Sequence, residues 1–136
     1  MRPAAPAPFI LLLLSLTLTT PVSAQNWKRV SVADRYTAVY LDVDSVRVLD
    51  GGIRVAVSVI NYQTATGDEE SLLAGTLYDC LGNRKRDQFV RQSESHWGVG
   101  KLAITSGEEM EWRLINRGSV GEALQVEVCN PDTGSN

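Results

Sequence analysis

Near its C-terminus the chain contains the stretch Gly118-Ser119-Val120-Gly121-Glu122-Ala123-Leu124-Gln125-Val126-Glu127-Val128-Cys129. Ser119 and Glu122 stand three residues apart in the S-x-x-E form of a capping box. In such a box the two side chains satisfy backbone N–H groups that the first turn of a helix leaves unpaired. The pattern therefore predicts a short helix that begins at this serine.

The apolar residues of the same stretch fit two kinds of secondary structure. On a helical wheel Val120, Leu124 and Val128 share one face, although Glu127 falls close to it. In an extended strand Leu124, Val126 and Val128 would alternate equally well. The capping box favours the helix, which would pack its apolar face on a sheet, and the strand stays open as the alternative.

The N-terminus has the features of a secretory signal peptide. Arg2 precedes an apolar run from Phe9 to Leu18, and the small residues Val22-Ser23-Ala24 stand before a predicted cleavage site. A membrane anchor is the alternative, but a spanning helix needs about 20 apolar residues, and prolines and threonines bound this run. We predict a signal peptide over residues 1–24 and one mature domain over residues 25–136. The cleavage site has no cysteine for a lipid anchor, so the product is expected to be periplasmic or released.

Charge and size narrow the class of the mature protein. Without residues 1–24 the chain loses one cation, Arg2, and keeps 12 basic and 16 acidic residues, for a net charge of −4. This acidic balance argues against a nucleic-acid partner, because phosphate binding needs a basic field. The remaining 112 residues suffice for a single hydrophobic core.

Cys80 and Cys129 are the two cysteines of the chain. In an exported protein such a pair predicts one disulfide. The bond would close a loop of about 50 residues, and the chain-entropy estimate for that length is roughly 4 kcal/mol. Two cysteines and one histidine are too few for a closed zinc site, which takes four ligands. We predict no metal and no cofactor.

The clearest hairpin turn is Asp50-Gly51-Gly52, where the glycines accept positive φ at little steric cost. It joins Ser45–Leu49 to Ile53–Ile60. In the second segment the residues at odd positions are aliphatic, and the residues between them are small or polar. This period of two predicts that the aliphatic side of the strand is buried.

The rest of the mature chain contains further strand candidates. Propensity alone would also allow a helix in the Leu72–Leu77 segment, but its Gly, Thr and Tyr neighbours favour a strand. Several hairpin-joined strands followed by one helix predict an α+β fold, with an antiparallel sheet of about five to six strands and the C-terminal helix packed on it. The polar tail is expected to fray. These segments are Trp27–Val30, Tyr36–Leu41 ending at Asp42-Val43-Asp44, Ser71–Cys80, Arg84–Glu94, Met110–Ile115 as a short strand or simply extended chain, and the tail Asn130–Asn136.

The order and spacing of several motifs resemble the surface-adhesin protein E family of Gram-negative bacteria. The resemblance covers nearly the whole mature chain. Its motifs are Trp27, Tyr40-Leu41-Asp42 followed by Ser45-Val46, Tyr78-Asp79-Cys80 followed by Arg84, and Gly118–Leu124 leading to Cys129.

The resemblance implies a small exported domain with an antiparallel sheet, a C-terminal helix and a disulfide. It also implies adhesin-type binding of host extracellular-matrix or serum proteins, and self-association as a homodimer. The surface-displayed members carry a lipid on an N-terminal cysteine, which this sequence lacks. A structural or chaperone-like envelope factor in the periplasm is therefore the alternative function.

Arg84, Lys85, Arg86 and Arg91 form the densest basic cluster in this acidic chain. The cluster predicts a contact for acidic partners. The alternative is a row of solvent-facing charges on a strand, which discourage pairing between sheet edges.

His96 is the single histidine, and it stands beside Trp97. A general base needs an oriented nucleophile or carboxylate, and no such set is apparent, so we predict a binding protein without enzymatic activity. The histidine is expected to be a loop residue packed on its aromatic neighbour. Trp97 and Trp112 are expected to be buried, with exposed anchors for a partner as the alternative.

Overall fold

The computed structural model describes residues 2–5, 25–30, 36–99, 102–105 and 111–134. The apolar run and the cleavage site of the predicted signal peptide lie outside the described residues, and so does most of the segment that precedes Glu111.

The described residues form one antiparallel sheet and one helix, and the first six strands follow one another in chain order across the sheet. A two-residue seventh strand pairs with the start of the fifth strand. The α+β fold predicted from the sequence is confirmed. The elements are β1 Trp27–Val30, β2 Thr37–Val48, β3 Ile53–Gln63, β4 Glu69–Asp79, β5 Arg84–Ser93, β6 Leu102–Thr105, β7 Arg113–Leu114 and α1 Val120–Val128.

The turn Asp50–Gly52 joins β2 to β3 as the sequence predicts. Gly51 and Gly52 have φ values of 71° and 76°, in the left-handed region that glycine adopts without a steric penalty. The N–H of Leu49 donates to the carbonyl of Ile53 at 2.8 Å and closes the hairpin.

Strand β2 does not end at Asp42-Val43-Asp44, so that prediction is wrong. The strand continues to Val48 through an irregularity in register after Asp42. The Asp42 carbonyl accepts the hydroxyl of Ser45 at 2.6 Å, and Ser45 Oγ accepts the N–H of Val57 at 2.8 Å. The serine thus replaces the ladder partner that the bulge removes, and both halves of the strand stay in the sheet.

Helix α1 packs on one face of the sheet, which we call the helix-side face. Leu124 and Val128 are buried and Val120 packs against the same cluster, so the predicted apolar face of the helix is confirmed. Each fully buried aliphatic side chain contributes roughly 2 kcal/mol. The sheet supplies to this core Val30, Val39, Leu41, Val46, Ala56 and Tyr78.

Strand β3 has the predicted period of two, but the prediction of its buried side is wrong over most of its length. Ala56 and Ser58 are 1% and 3% exposed on the helix-side face. Ile53, Val55 and Val57 are only half-buried on the opposite face. Small side chains such as Ala56 and Ser58 allow α1 to approach the sheet closely. The larger aliphatic side chains of β3 therefore lie on the side that the helix does not cover.

The uncovered side of the sheet is called the open face below. Strand register places on it Arg29, Tyr40, Arg47, Ile53, Val55, Val57, Leu77, Arg84, Arg86, Phe89 and Arg91.

The capping box starts α1 as predicted, with one difference in its second half. Ser119 Oγ accepts the N–H of Glu122 at 3.1 Å. The Glu122 carboxylate accepts the N–H of Gly118 at 3.1 Å instead of that of Ser119. The box therefore closes one residue earlier than in the standard arrangement and still satisfies two backbone donors.

We expect Ser119→Ala to lower the free energy of unfolding by about 1 kcal/mol, because the alanine leaves the Glu122 N–H without its cap. Urea unfolding of the mature chain measures the change. Ser119→Asn is the control, because asparagine caps as well as serine and should keep most of the stability. Equal losses in both variants would contradict a capping role.

The disulfide and the C-terminal tail hold the far end of α1. Cys129 bonds to Cys80 with the two Cα atoms 5.7 Å apart, which confirms the predicted pair. Arg54 Nη1 donates to the carbonyls of Val128 at 3.0 Å and Asn130 at 2.9 Å, and also to that of Thr133. As far as Gly134 the tail is therefore docked on the sheet, and the expectation that it frays is wrong for these residues.

Candidate binding surface

The predicted basic cluster is divided between the two faces of the sheet. Arg84 and Arg86 lie on the open face, where their register partners are Asp79 and Leu77. Lys85 pairs with the buried Tyr78 and lies on the helix-side face, beside Gly121. Arg91 joins the open face beyond an irregularity in register. Because neighbouring residues of a strand point to opposite faces, four basic residues close in sequence do not form one patch.

Arg84 contacts residues in and beside the turn between β4 and β5. Its Nη2 lies 2.9 Å from Asp79 Oδ2, and its guanidinium lies 5.5 Å from the ring centroid of Trp112. The Asp79 carboxylate also accepts the N–H groups of Leu81 and Gly82 at 3.2 Å and 2.8 Å. The hydrogen bond from Arg84, together with these backbone donors, holds the pKa of Asp79 below its ordinary value. Arg84 therefore stabilises the β4–β5 turn.

Two arginines from distant parts of the chain join Arg86 and Arg91 on the open face. Arg29 of β1 pairs with Tyr40, and Arg47 of β2 pairs with Val55. Within the described residues, neither Arg29 nor Arg86 forms an ion pair with an acidic side chain. The sequence pattern does not single out Arg29 and Arg47, because only the register of β1 to β3 brings them onto the face that carries Arg86.

The floor between these arginines is aliphatic and aromatic. It includes the half-buried side chains of Val55, Val57 and Leu77. The ring of Phe89 lies over Gly75, where any side chain would collide with it. Phe89 is also stacked under Arg91, whose guanidinium carbon lies 5.0 Å from the ring centroid. The open face therefore combines positive charge with a partly exposed apolar surface.

Trp97 lies at one end of the open face, in the 3-10 turn His96–Gly98. Its ring centroid is 4.5 Å from that of Tyr40 and 6.0 Å from that of Trp27. The residue is 43% exposed, so the expectation that it is buried is wrong. Trp112 is half-buried beside Arg84.

The turn that carries Trp97 is held in an unfavourable backbone conformation. Trp97 has a φ of 64°, which costs a bulky residue about 1–2 kcal/mol. Its N–H donates to Asn61 Oδ1 at 2.8 Å, and the N–H of Gly98 donates to Ser71 Oγ at 2.8 Å. His96 Nε2 lies 3.2 Å from the carbonyl oxygen of Tyr62, so the histidine anchors the same turn.

A second concave region lies on the helix-side face. A cavity of about 190 Å³ is bounded by α1 and strands β3 to β5, and Lys85 and the buried Asp87 line it. Asp87 accepts the hydroxyl of Thr76 at 2.7 Å and pairs with Arg113 at 3.3 Å. Burial, and secondarily the charge of Asp87, raises the pKa of Tyr78. The buried carboxylate of this cavity is therefore already partnered by Thr76 and Arg113.

The described residues contain neither a cluster of metal ligands nor a helix that could span a membrane. No group of three or more His, Cys, Asp and Glu side chains in that part of the chain could hold a metal ion. In the same residues no helix has the length and apolar character that crossing a bilayer requires.

The similarity of this chain to known proteins lies at the level of a family. No curated protein and no solved structure matches it. The family model described as surface-adhesin protein E matches residues 27–130, which span every strand and the helix of the described structure. The chain therefore belongs to the surface-adhesin protein E family, and its function is of the adhesin type.

Proposed function

We propose that this protein is a non-enzymatic exported adhesin that binds an acidic extracellular-matrix or serum protein with the open face of its sheet. The observation that supports the proposal is the set of arginines on the face opposite α1, in a chain with a net charge of −3. Guanidinium groups pair with carboxylates and sulfates in a bidentate geometry. An acidic partner would meet a basic surface on a protein that otherwise repels it.

Charge and apolar area would contribute differently to the binding. Exposed arginines at the rim of an interface steer the encounter and make binding depend on salt. The floor of Val55, Val57 and Leu77 supplies apolar surface that a partner can bury, which adds affinity that salt does not screen. The mature domain, residues 25–136, would act after removal of the signal peptide.

We expect the double variant Arg86→Ala with Arg91→Ala to bind matrix proteins roughly threefold to tenfold more weakly at low salt, because each exposed ion pair contributes about 0.2–1 kcal/mol. The measurement is binding of the mature chain to an immobilised basement-membrane extract and to immobilised serum proteins. High salt should reduce the difference between the double variant and wild type, since it screens the lost charges.

The charge-matched control is Lys85→Ala with Arg117→Ala. Lys85 precedes Arg86 in the same strand but lies on the helix-side face, and Arg117 lies in the turn before α1. This pair removes the same charge and should change binding by less than about twofold. Equal losses in the two double variants would show that net charge alone acts, and would contradict the open face as the site.

A periplasmic chaperone-like factor is the second candidate, favoured by the half-buried aliphatic floor of the open face. Such a surface could hold an unfolded segment of an envelope protein. Cell fractionation separates the two candidates. If the surface of intact cells is negative and the osmotic-shock fluid contains all of the protein, the adhesin proposal fails and the envelope factor remains.

A further inference from the structure

The aromatic cluster of Trp27, Tyr40 and Trp97 is a feature of the open face that its positive charge does not explain. We propose that this cluster is a stacking platform for a sugar ring, and that the open face binds a sulfated, acidic polysaccharide chain. The inference rests on the proposed function, because it assigns a chemical class to the group that the adhesin recognises on its partner.

The exposure and the backbone conformation of Trp97 indicate a binding role. A tryptophan that serves only to fill a core is buried, whereas Trp97 is 43% exposed. Its positive φ is unfavourable for an aromatic residue, and such conformations concentrate at functional sites when the surrounding structure imposes them. The surrounding structure therefore holds the ring at the surface, although the backbone conformation that this requires is unfavourable for tryptophan.

The surrounding structure imposes the conformation through buried polar side chains. Asn61, Ser71 and Ser93 are all buried on this side of the sheet. Asn61 accepts the N–H of Trp97, Ser71 accepts the N–H of Gly98 at 2.8 Å, and Ser93 donates to the carbonyl of Val99. The turn is thus fixed before any partner arrives, so binding would cost little ordering of the loop.

The chemistry of the cluster and of its neighbours suits an acidic saccharide. The π face of an exposed indole carries negative charge density that attracts the polarised C–H groups of a sugar ring. Arg29 pairs in register with Tyr40, and Arg91 pairs with Leu73, which packs under Gly98. The strands that carry Arg29 and Arg91, β1 and β5, are four strand spacings apart, on the order of 19 Å. The turn of Trp97 is bonded to Asn61 of β3 and Ser71 of β4, which lie between those two strands.

This arrangement favours a saccharide over an acidic peptide. A peptide would satisfy the arginines, but it offers no rigid flat C–H surface for the exposed ring. A sulfated polysaccharide offers flat rings and closely spaced anions in the same extended chain. Its sulfates and carboxylates can pair with Arg29 and Arg91 while one ring stacks on Trp97.

The test is binding of a heparin-derived hexasaccharide to the mature chain, measured by isothermal titration calorimetry and by tryptophan fluorescence. We expect Trp97→Asn to bind about fivefold to tenfold more weakly, because the stacking ring is lost. Asparagine adopts positive φ more readily than tryptophan, which offsets part of the packing lost against Tyr40 and Trp27, so Trp97→Asn should still fold cooperatively. Trp97→Phe keeps an aromatic ring and should retain most of the affinity.

The control variant is Trp112→Phe, which changes the tryptophan beside Arg84, outside the platform. It should bind the hexasaccharide as the wild type does. Uncharged maltohexaose is the control ligand. It should bind more weakly than the sulfated probe, because it has no anionic groups that could pair with the arginines. Equal binding of the two sugars would overturn the assignment to an acidic saccharide.

Two further results would overturn the proposal. The first is wild-type affinity of Trp97→Asn for the hexasaccharide. The second is loss of folding in both Trp97→Asn and Trp97→Gly, which would show that the ring is needed for structure.

Failure of this inference can be distinguished from failure of the proposed function. If the chain binds the basement-membrane extract but not the hexasaccharide, the saccharide assignment is wrong and recognition of a polypeptide is supported. If the chain binds the hexasaccharide but no matrix or serum protein, the proposed function is wrong and the assignment of a saccharide site stands.

Discussion

Cys129→Ser is expected to lower the free energy of unfolding by about 2–5 kcal/mol, the range typical for loss of a disulfide in a small exported domain. The native bond closes a loop with a sequence separation of 49 residues, so its loss frees a large part of the chain in the unfolded state. Urea unfolding under oxidising conditions measures the change. Retention of the wild-type melting curve would mean that the bond does not form in solution.

A double-mutant cycle makes this prediction specific to the bond. Cys80→Ser should destabilise about as much as Cys129→Ser, and the double variant should lose no more than either single variant, because one bond is removed in each case. A reductant should bring the wild type to the level of the double variant. Additive losses would indicate that each cysteine contributes through packing and not through the bond.

The bond matters because α1 is short. A helix of nine residues, Val120–Val128, has little stability of its own in water. Its start is held by the capping box, its middle by the burial of Leu124, and its end by the disulfide at Cys129. Each of these contacts attaches the helix to residues far away in sequence or to the loop before it.

Arg54→Ala is expected to lower the free energy of unfolding by about 2 kcal/mol, because hydrogen bonds from a charged group contribute about 1.5–3 kcal/mol. The arginine reaches from β3 to the carbonyls of Val128 and Asn130, and also to that of Thr133. The last carbonyls of a helix have no partner within it, so this side chain closes the C-terminus of α1. Urea unfolding measures the loss of stability.

Hydrogen exchange of residues 129–134 gives an independent readout, since the tail should open more often without the arginine. Arg86→Ala is the charge-matched control from the open face and should leave stability within about 0.5 kcal/mol of the wild type. Arg54→Lys keeps the charge but not the fork of donors, and should recover part of the loss. A loss in Arg54→Ala no larger than that in Arg86→Ala would contradict the role in closing the helix.

The helix-side face thus contributes to stability and the open face to binding. Variants on the two faces should therefore change different measured quantities. Substitutions on the helix-side face, such as Arg54→Ala, should change stability and leave the affinity of the folded protein unchanged. Substitutions on the open face, such as Arg86→Ala, should change affinity and leave stability nearly unchanged. Arg84 is the exception, because it lies on the open face but pairs with Asp79 in the β4–β5 turn.

The features that were predicted correctly depend on residues close together in the chain. The capping box joins Ser119 to Glu122 across one turn, and the Asp50–Gly52 turn needs only its own glycines. The disulfide was predicted because Cys80 and Cys129 leave a single way to pair in an exported chain. Each of these conclusions needs little knowledge of how distant strands meet.

The errors concern contacts between distant residues. Asp42-Val43-Asp44 was predicted to end a strand, but Ser45 bonds across to Val57 and the strand continues. Trp97 was predicted to be buried, but the turn that carries it ends at the surface. The tail after Cys129 was expected to fray, but Arg54 of β3 holds it.

The sequence by itself determined the class of fold, the start of the helix, the disulfide and the family of this protein. Only the tertiary structure decided which face of the sheet the helix covers. A period of two shows which residues of a strand share a face, but the covered face depends on where α1 packs across the strands. That position places Ala56 and Ser58 under the helix and leaves Val55 and Val57 on the open face. It also separates Lys85 from Arg86, and strand register then adds Arg29 to the arginines of the proposed site.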